Sequence, residues 1–229
     1  MSTHGGAGDK SAWSRNIEAN LKTQILGKPM VIYETVTSTN DAVKDFAGGG
    51  APEGLTVVAR AQSQGRGRRG RTWESPEGQG AYLSVLLRPE LPNADAGWLA
   101  ILGGVAAADA LEELGLKGLS LKWPNDVLVG GRKIGGVLVE PRVGAAAIDF
   151  AVVGIGINVE QGPDSWTGSL KGTATSCRME GLSVGCEDVI ARVLEHTDRW
   201  YLRLKAGESQ QLMQAWVRRG GTSAIPTLD

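Results

Sequence analysis

The sequence predicts an α/β protein in which the sheet contains antiparallel strand pairs. The chain has 229 residues, which suits one medium-sized domain, or one domain with a small appendage, and is long enough for a substantial core. Short β-branched and apolar runs, typical of strands, alternate along it with helical patterns. Gly130 and Gly131 separate two such runs by the length of a tight hairpin turn, and a hairpin joins antiparallel neighbours.

Strands are predicted where these runs are bounded by turn residues. Residues 82–87 are apolar enough to be buried on both faces of the sheet. Pro124, Asn125 and Asp126 are typical of a tight turn between two short strands. The predicted strands are residues 30–35, 55–61, 82–87, 119–123, 127–129, 133–140 and 148–159.

Helices are predicted from apolar residues at spacings of three and four. Residues 38–41 offer capping side chains at the start of one helix, and Gly48, Gly49 and Gly50 end it. Residues 94–114 form the main packing helix, with its apolar positions assigned to the core. The predicted helices are residues 13–26, 42–47, 94–114, 187–205 and 209–219.

The strongest chemical signal is an arginine- and glycine-rich segment that follows the second strand, residues 62–73. Glycines let backbone N–H groups turn inward, and guanidinium groups pair with phosphate or carboxylate oxygens. We therefore expect an anionic ligand. Because like charges repel, we also expect the loop to stay disordered until an anion binds. Its arginines and glycines are Arg66, Arg68, Arg69, Arg71, Gly65, Gly67 and Gly70.

The last predicted strand, residues 148–159, has one apolar face and one nearly bare face. Its odd positions are apolar, whereas its even positions include Gly154, Gly156 and Asn158. A strand that lacks side chains on one face usually admits a ligand or another backbone there, and close helix packing over the glycines is the alternative. On the neighbouring strand, the same alternation predicts that Lys133 and Gly135 share a face, with Gly136 on the other.

Composition and charge exclude several classes of function. Lys and Arg total 24 against 25 Asp and Glu, so the net charge of −1 disfavours general nucleic-acid binding, although an Arg-Gly RNA-binding module remains an alternative. His4, His196, Cys177 and Cys186 lack metal-ligand spacing, and His196 is expected to be structural. With so few such residues, any reacting nucleophile is expected to come from a substrate. The sequence has no run of about 18 apolar residues and no signal core, which predicts a cytoplasmic protein with no membrane segment.

Five motifs together resemble those of the biotin protein ligases, in the same order and with similar spacing. The resemblance covers residues 30–219 and implies a fold like that of the class II aminoacyl-tRNA synthetases, of the α+β type. Such a fold has a mixed, largely antiparallel sheet backed by helices. The motifs are Ser38-Thr39-Asn40 with Gln62, residues 65–73, Lys122-Trp123-Pro124-Asn125-Asp126, residues 133–140 and residues 154–159.

The resemblance implies two half-reactions. The carboxylate of biotin attacks the α-phosphate of ATP to give biotinyl-5′-adenylate, and a specific lysine of a biotin carboxyl carrier protein or domain then takes the biotinyl group and releases AMP. Both nucleophiles belong to substrates, so the protein supplies positioning and charge stabilisation. Mg²⁺ is expected with ATP, bound mostly through phosphates and water.

The resemblance also assigns roles residue by residue. Lys133 is expected between the biotin carboxylate and the α-phosphate, where its charge offsets their repulsion, and it acts in catalysis with Arg66 and Arg68. No metal ligand is assigned. Biotin is expected to contact Ser38, Thr39, Asn40, Gln62, Arg66, Gly67, Arg68, Lys133, Gly135 and Gly136. ATP and the adenylate are expected to contact Arg66, Arg68, Arg69, Arg71, Trp73, Lys122, Asn125, Asp126, Lys133 and Asn158.

The expected organisation is a leader and short helix at residues 1–28, a catalytic domain at 29–219 and a short tail at 220–229. The chain resembles the group without an N-terminal DNA-binding domain, and the SH3-like C-terminal domain of most members is expected to be absent or truncated. Neither a monomer nor a homodimer is favoured. Other readings are a lipoate ligase or octanoyl transferase, whose usual Arg-Arg-x-Ser-Gly-Gly-Gly signature is absent, a biotin-responsive repressor, and an inactive biotin-sensing domain.

Overall fold

The sheet is built from seven strands in the part of the chain that the computed structural model describes, residues 12–19 and 21–220. The strands follow the order β1-β2-β3-β7-β6-β5-β4 across the sheet. β1 and β2 are parallel, and every other neighbouring pair is antiparallel. The mixed, largely antiparallel sheet is therefore confirmed. The strands are β1 (Met30–Val36), β2 (Thr56–Gln62), β3 (Gly80–Leu87), β4 (Leu119–Lys122), β5 (Asp126–Val129), β6 (Arg132–Val143) and β7 (Ile148–Asn158).

Helices cover both faces of this sheet. The helices in the described residues are α1 (Ala12–Ala19), α2 (Thr39–Gly48), α3 (Gly97–Glu113), α4 (Cys186–Lys205) and α5 (Ser209–Val217). The large core lies between the sheet and α3, α4 and α5, and a smaller cluster lies under α2. Val153 and Val152 of β7 belong to the large and the small cluster respectively, as the alternation of a strand requires. Residues 93–113 are apolar enough to span a membrane by composition alone, but 78% of their most apolar stretch is buried in the protein, because α3 is the central helix.

Local signals in the sequence set several boundaries. Ser38 caps α2, accepting a hydrogen bond from the Asp41 N–H at 3.5 Å, and Gly49 follows the last helical residue. Gly130 and Gly131 have positive φ angles of 55° and 79°, which suit the two-residue turn between β5 and β6. β3 is buried along its whole length, as predicted.

Three predictions about these elements need correction. The first helix ends at Ala19 rather than near residue 26, because the N–H groups of residues 24–26 donate to the carboxylate of Asp198 instead of to helical carbonyls. The central helix begins at Gly97, after a separate turn at Asn93–Asp95. Asp126 belongs to β5 rather than to the preceding turn. The predicted leader, residues 1–10, and tail residues 221–229 lie outside the described residues.

Candidate active site

A cavity of about 500 Å³ opens beside the first turn of α2. It is bounded by β6, β7 and the arginine- and glycine-rich segment of residues 65–73, here called the Arg-Gly loop. Its lining brings together most of the predicted site residues, although their motifs are spread over 120 positions of the sequence, from 38 to 158. Arg69 instead lines a neighbouring cleft of about 640 Å³ between the loop and residues 137–140 of β6. The predicted residues in the lining are Ser38, Thr39, Asn40, Gln62, Arg66, Gly67, Arg68, Arg71, Trp73, Lys122, Asn125, Asp126, Lys133, Gly136 and Asn158.

The bare face of β7 forms the floor of this cavity. A Cβ added to Gly154 would lie 2.0 Å from Asn40 Oδ1, and one added to Gly156 would lie 2.6 Å from Trp73 Nε1. Gly154 therefore makes room for a side chain of helix α2, which is the helix-packing alternative. Gly156 makes room for the indole at the end of the Arg-Gly loop, and so lets that loop lie on the sheet.

A chain of polar side chains lies at the start of α2. Thr39 donates its N–H to Gln62 Oε1 at 2.8 Å, and Gln62 Nε2 donates to Ser75 Oγ at 2.8 Å. The hydroxyl of Ser84 lies 2.7 Å from Thr39 Oγ1 and 2.6 Å from Asn40 Oδ1. The sequence patterns did not identify Ser84, which is fully buried in β3. Its signal was a small polar residue within an otherwise apolar and aromatic strand, because a buried polar group needs a partner.

The Arg-Gly loop is folded back on itself over the cavity. Trp73 N–H donates to Gly65 O at 2.9 Å, and Gly67 N–H donates to Arg71 O at 2.7 Å. Gly65 is required at this close approach, because an added Cβ would lie 2.3 Å from Trp73 O. Arg69 adopts a positive φ of 55° at the tip. Ordering of the loop by an anion stays a prediction.

Carboxylates of the protein already neutralise part of the loop's charge. Arg66 forms ion pairs with Glu140 and, at 3.1 Å, with Asp41. Glu140 also accepts hydrogen bonds from Lys44 Nζ at 2.6 Å and Asn40 Nδ2 at 2.7 Å. Burial alone would raise the pKa of Glu140, but hydrogen bonds from Lys44, Asn40 and Arg66 outweigh it and hold the pKa below its usual value. Glu140 is thus ionised, and its role was missed although it ends a motif of the resemblance.

Lys133 faces the cavity from β6. Its Nζ lies 2.5 Å from Asp126 Oδ1 and 5.3 Å from the centre of the Trp73 ring. The predicted shared face of Lys133 and Gly135 is wrong. The register of β5 and β6 shifts between Val127 and Leu128, and this bulge turns two successive β6 residues toward the core.

Gly136, rather than Gly135, therefore lies beside Lys133. A Cβ added to Gly136 would lie 3.3 Å from Lys133 Nζ, whereas one added to Gly135 would lie 2.5 Å from the core residue Ile157. Gly135 does not line the cavity. Register shifts of this kind carry no signature in a simple alternation of residues.

Two asparagines at the nucleotide side of the predicted site support the backbone. Asn125 Nδ2 donates to Val137 O at 2.8 Å, and buried Asn158 Nδ2 donates to Thr175 O at 2.9 Å. Residues before Thr175 also complete the cavity wall, and they could not be identified from the sequence because they carry no periodic pattern. They are Trp166, Ser169, Leu170, Thr173 and Ala174.

Within the described residues, no cluster of three or more His, Cys, Asp or Glu side chains could hold a metal ion. Cys177 and Cys186 are free, and burial raises the pKa of each thiol to about 12, so both are unreactive at neutral pH. His196 lies away from the cavity, between α3 and α4, with Nε2 2.7 Å from Glu113 Oε2. This agrees with the structural role expected for it, and His4 lies outside the described residues.

Residues 32–158 match the model of the biotin/lipoate A/B protein ligase family. The chain belongs to this family. The match contains the start of α2, the Arg-Gly loop and strands β2 to β7, so it spans the motifs from which the resemblance was drawn except for the last residue, Val159.

Curated relatives in this family are biotin ligases from several organisms. The bifunctional ligase/repressor BirA of Bacillus subtilis is 38% identical over 160 residues, covering 70% of this chain and 49% of that protein. The biotin–acetyl-CoA-carboxylase ligase of Paracoccus denitrificans is 34% identical over 181 residues, covering 75% of this chain and 73% of the relative. The chain spans about half the length of the first curated relatives that it matches.

Solved structures of biotin protein ligases share the fold. The enzyme from Aquifex aeolicus in complex with biotin and ATP has a TM-score of 0.70 and 32% identity, covering 82% of this chain and 77% of that chain. The enzyme from Leishmania major in complex with biotinyl-5-AMP has a TM-score of 0.68 and 25% identity, covering 87% and 84%. The predicted α/β fold of the biotin/lipoate ligase family is therefore confirmed.

Proposed function

We propose that this domain is an ATP-dependent biotin protein ligase. In the first half-reaction, a carboxylate oxygen of biotin attacks the α-phosphorus of ATP, which forms the acyl phosphate bond of biotinyl-5′-adenylate and releases pyrophosphate. In the second, the ε-amine of an acceptor lysine attacks the acyl carbon, forms an amide and releases AMP. The acceptor is a biotin carboxyl carrier protein or domain of a biotin-dependent carboxylase.

One observation carries this proposal: a single cavity combines a neutral polar wall with several cations. Thr39, Asn40 and Gln62 offer donors and acceptors suited to a cyclic urea. Arg66 and Lys133 supply positive charge in the same space. A small acid with a polar neutral head, activated by a nucleotide, matches both halves of that lining.

The chain's own residues act mainly by electrostatics. The carboxylate and the α-phosphate are both anionic, so their approach is opposed unless cations lie between them. In this proposal Lys133 lies between the two anions, and Arg66 and Arg68 support it from the loop. The contacts of Lys133 with Asp126 and the Trp73 ring, and the presence of all three cations in the cavity lining, support this assignment. Cations that are already oriented lower the barrier without reorganisation in the transition state.

The polar wall also favours biotin over lipoate. The dithiolane ring of lipoate offers no N–H or C=O group, so it would leave Thr39, Asn40 and Gln62 without ligand partners as water is excluded. Sites built to hydrogen-bond a substrate discriminate strongly against analogues that cannot do so. We therefore assign biotin, and the names of the relatives agree with this choice.

The proposal also includes a metal ion, the bounds of the catalytic domain and a cellular compartment. Mg²⁺ is expected to enter with the phosphates of ATP, since it retains most of its waters and needs few protein ligands. Residues 29–219 form the proposed catalytic domain. The supply of ATP and the two free cysteines suit the cytoplasm.

The test is to incubate the protein with biotin, MgATP and a biotin carboxyl carrier domain, and to measure the acceptor's mass. The expected result is one biotinyl group added to the acceptor lysine, with pyrophosphate released only when biotin is present. Lipoate replaces biotin in a parallel reaction and is expected to give neither product. Absence of both adenylate and acceptor modification with biotin would refute the proposal.

A further inference from the structure

Glu140 connects two parts of the candidate site. Its side chain is 25% exposed and lies on β6, next to the 500 Å³ cavity but outside its lining. Through one oxygen it holds Arg66 and Lys44, and through the other it accepts the Asn40 amide hydrogen bond at 2.7 Å. Two of these donors, Arg66 and Asn40, line the cavity.

At Asn40, the carboxylate of Glu140 decides the orientation of the side-chain amide. An ionised carboxylate only accepts hydrogen bonds, so the amide nitrogen must point toward it and the oxygen away from it. The oxygen lies near Gly154 and accepts from Ser84 at 2.6 Å. A carbonyl oxygen has two lone pairs, so Asn40 keeps one acceptor position, which fits an N–H donor such as that of a cyclic urea.

At Arg66, the same carboxylate pairs with the guanidinium without itself lining the cavity. A guanidinium group has five N–H donors, and the contacts with Glu140 and Asp41 use two of them. The remaining donors can bind a ligand carboxylate or phosphate while both ion pairs persist. Holding a long side chain in place in advance also reduces the conformational entropy lost when the ligand binds.

We propose that Glu140 is a positioning residue that orients two side chains for the acid substrate: Asn40, at the site of the polar head, and Arg66, in the Arg-Gly loop. It keeps the Asn40 oxygen available as an acceptor, and it keeps Arg66 oriented toward the reacting carboxylate. This inference rests on the proposed function and adds to it a residue that does not itself contact the substrate.

The test is Glu140→Gln, with Glu53→Gln as the matched control. Glu53 is a carboxylate of similar exposure, 22%, that accepts from Tyr201, from Lys205 at 2.9 Å and from the Arg88 N–H at 2.8 Å, and it does not line the cavity. Glutamine keeps the size of each side chain but can present an amide N–H to the same donors. We expect Glu140→Gln to lower kcat/KM for biotin in pyrophosphate release by about tenfold or more, and Glu53→Gln to change it less than about twofold.

Calorimetric binding of biotin and of biotin methyl ester separates the two effects. The ester keeps the ureido head and lacks the carboxylate, so Arg66→Gln is expected to weaken biotin binding with little effect on the ester. Glu140→Gln is expected to weaken both, because it also disturbs Asn40. If Glu140→Gln leaves the affinity for the ester unchanged, the claim that Glu140 positions Asn40 is wrong. If Glu140→Gln lowers the affinity for biotin no more than the affinity for the ester, the claim that Glu140 positions Arg66 is wrong.

A substitute variant and a comparison with the wild-type protein make the test of Glu140 decisive. If Glu140→Gln does not fold, Glu140→Asp replaces it, since it keeps the charge but shortens the reach to Asn40 and Arg66. Biotin affinity equal to wild type in that variant overturns the proposal. A wild-type protein that fails to bind biotin refutes the proposed function itself, whereas an active wild type with an equally active Glu140→Gln refutes only this inference.

Discussion

Substitution of Gly154 by alanine is expected to displace the side chain that lies on the cavity floor. The added Cβ would lie 2.0 Å from Asn40 Oδ1 and 2.9 Å from Asn40 Cγ, closer than real Cβ contacts. Asn40 has little room to move, because it is 4% exposed and hydrogen-bonded to Ser84 and Glu140. The methyl group must therefore push the amide out of its place or separate α2 from the sheet.

The magnitude follows from those contacts. Overpacking a well-filled site costs about 1–3 kcal/mol. Weakening the neutral hydrogen bond with Ser84 and the charge-assisted one with Glu140 costs about 1 and about 2 kcal/mol respectively. We expect a loss of about 4–6 kcal/mol in the free energy of unfolding, which is a large share of the about 5–15 kcal/mol that stabilises a typical domain.

Urea denaturation measures the stability, and isothermal titration calorimetry measures the biotin affinity. Gly48→Ala is the matched control, since an added Cβ there meets nothing within 4 Å at the end of α2. Alanine is favoured over glycine in a helix by up to about 1 kcal/mol, so the control should keep or gain stability and bind biotin normally. If Gly154→Ala unfolds at the same urea concentration as wild type and binds biotin equally well, Asn40 does not occupy this space.

Three further outcomes are expected. Lys133→Ala should abolish biotin-dependent pyrophosphate release while the circular dichroism spectrum stays unchanged; full release would refute its role between the two anions. Biotin with ATP should increase hydrogen-exchange protection of residues 65–73, and no added protection would contradict ligand-induced ordering. Burial lowers the pKa of His196, but the nearby carboxylates of Asp109 and Glu113 raise it above the ordinary value overall. Protonated His196 should thus contribute fully to the free energy of unfolding below the unfolded pKa of about 6.5. This contribution should decline as the pH rises through the pKa of His196 in the folded protein. Unfolding free energies of wild type and His196→Gln should differ most at low pH; a constant difference from about pH 5 to about pH 9 would exclude this linkage.

Sequence patterns identified features that depend on local chemistry. The start of α2 at Ser38 follows from side-chain capping, and the hairpin at Gly130 follows from the backbone freedom of glycine. The alternation in β7 correctly gave one packed and one bare face, because period-two alternation is a property of the strand itself. The Arg-Gly loop was identified by composition alone.

Features that depend on distant partners were harder to predict. The bulge in β6 reversed the expected faces of Gly135 and Gly136, since it arises from the pairing of β5 with β6. Glu140 could not be selected by its own neighbours in the sequence, because its partners Asn40 and Arg66 lie 100 and 74 positions away. The bare face at Gly154 was likewise visible in the sequence, but the sequence did not show that the side chain of Asn40 fills the space above it.

The position of Trp73 gives the domain an intrinsic optical probe. The indole rests on Gly156 near the Lys133 ammonium group, and its N–H is buried without a hydrogen-bond partner among the described residues. Lifting of the loop from the sheet would transfer this ring into water and shift its fluorescence emission to longer wavelength. Subtracting the spectrum of a Trp73→Phe variant removes the contribution of the other tryptophans, so rapid-mixing experiments could follow closure of the loop in real time without an attached dye.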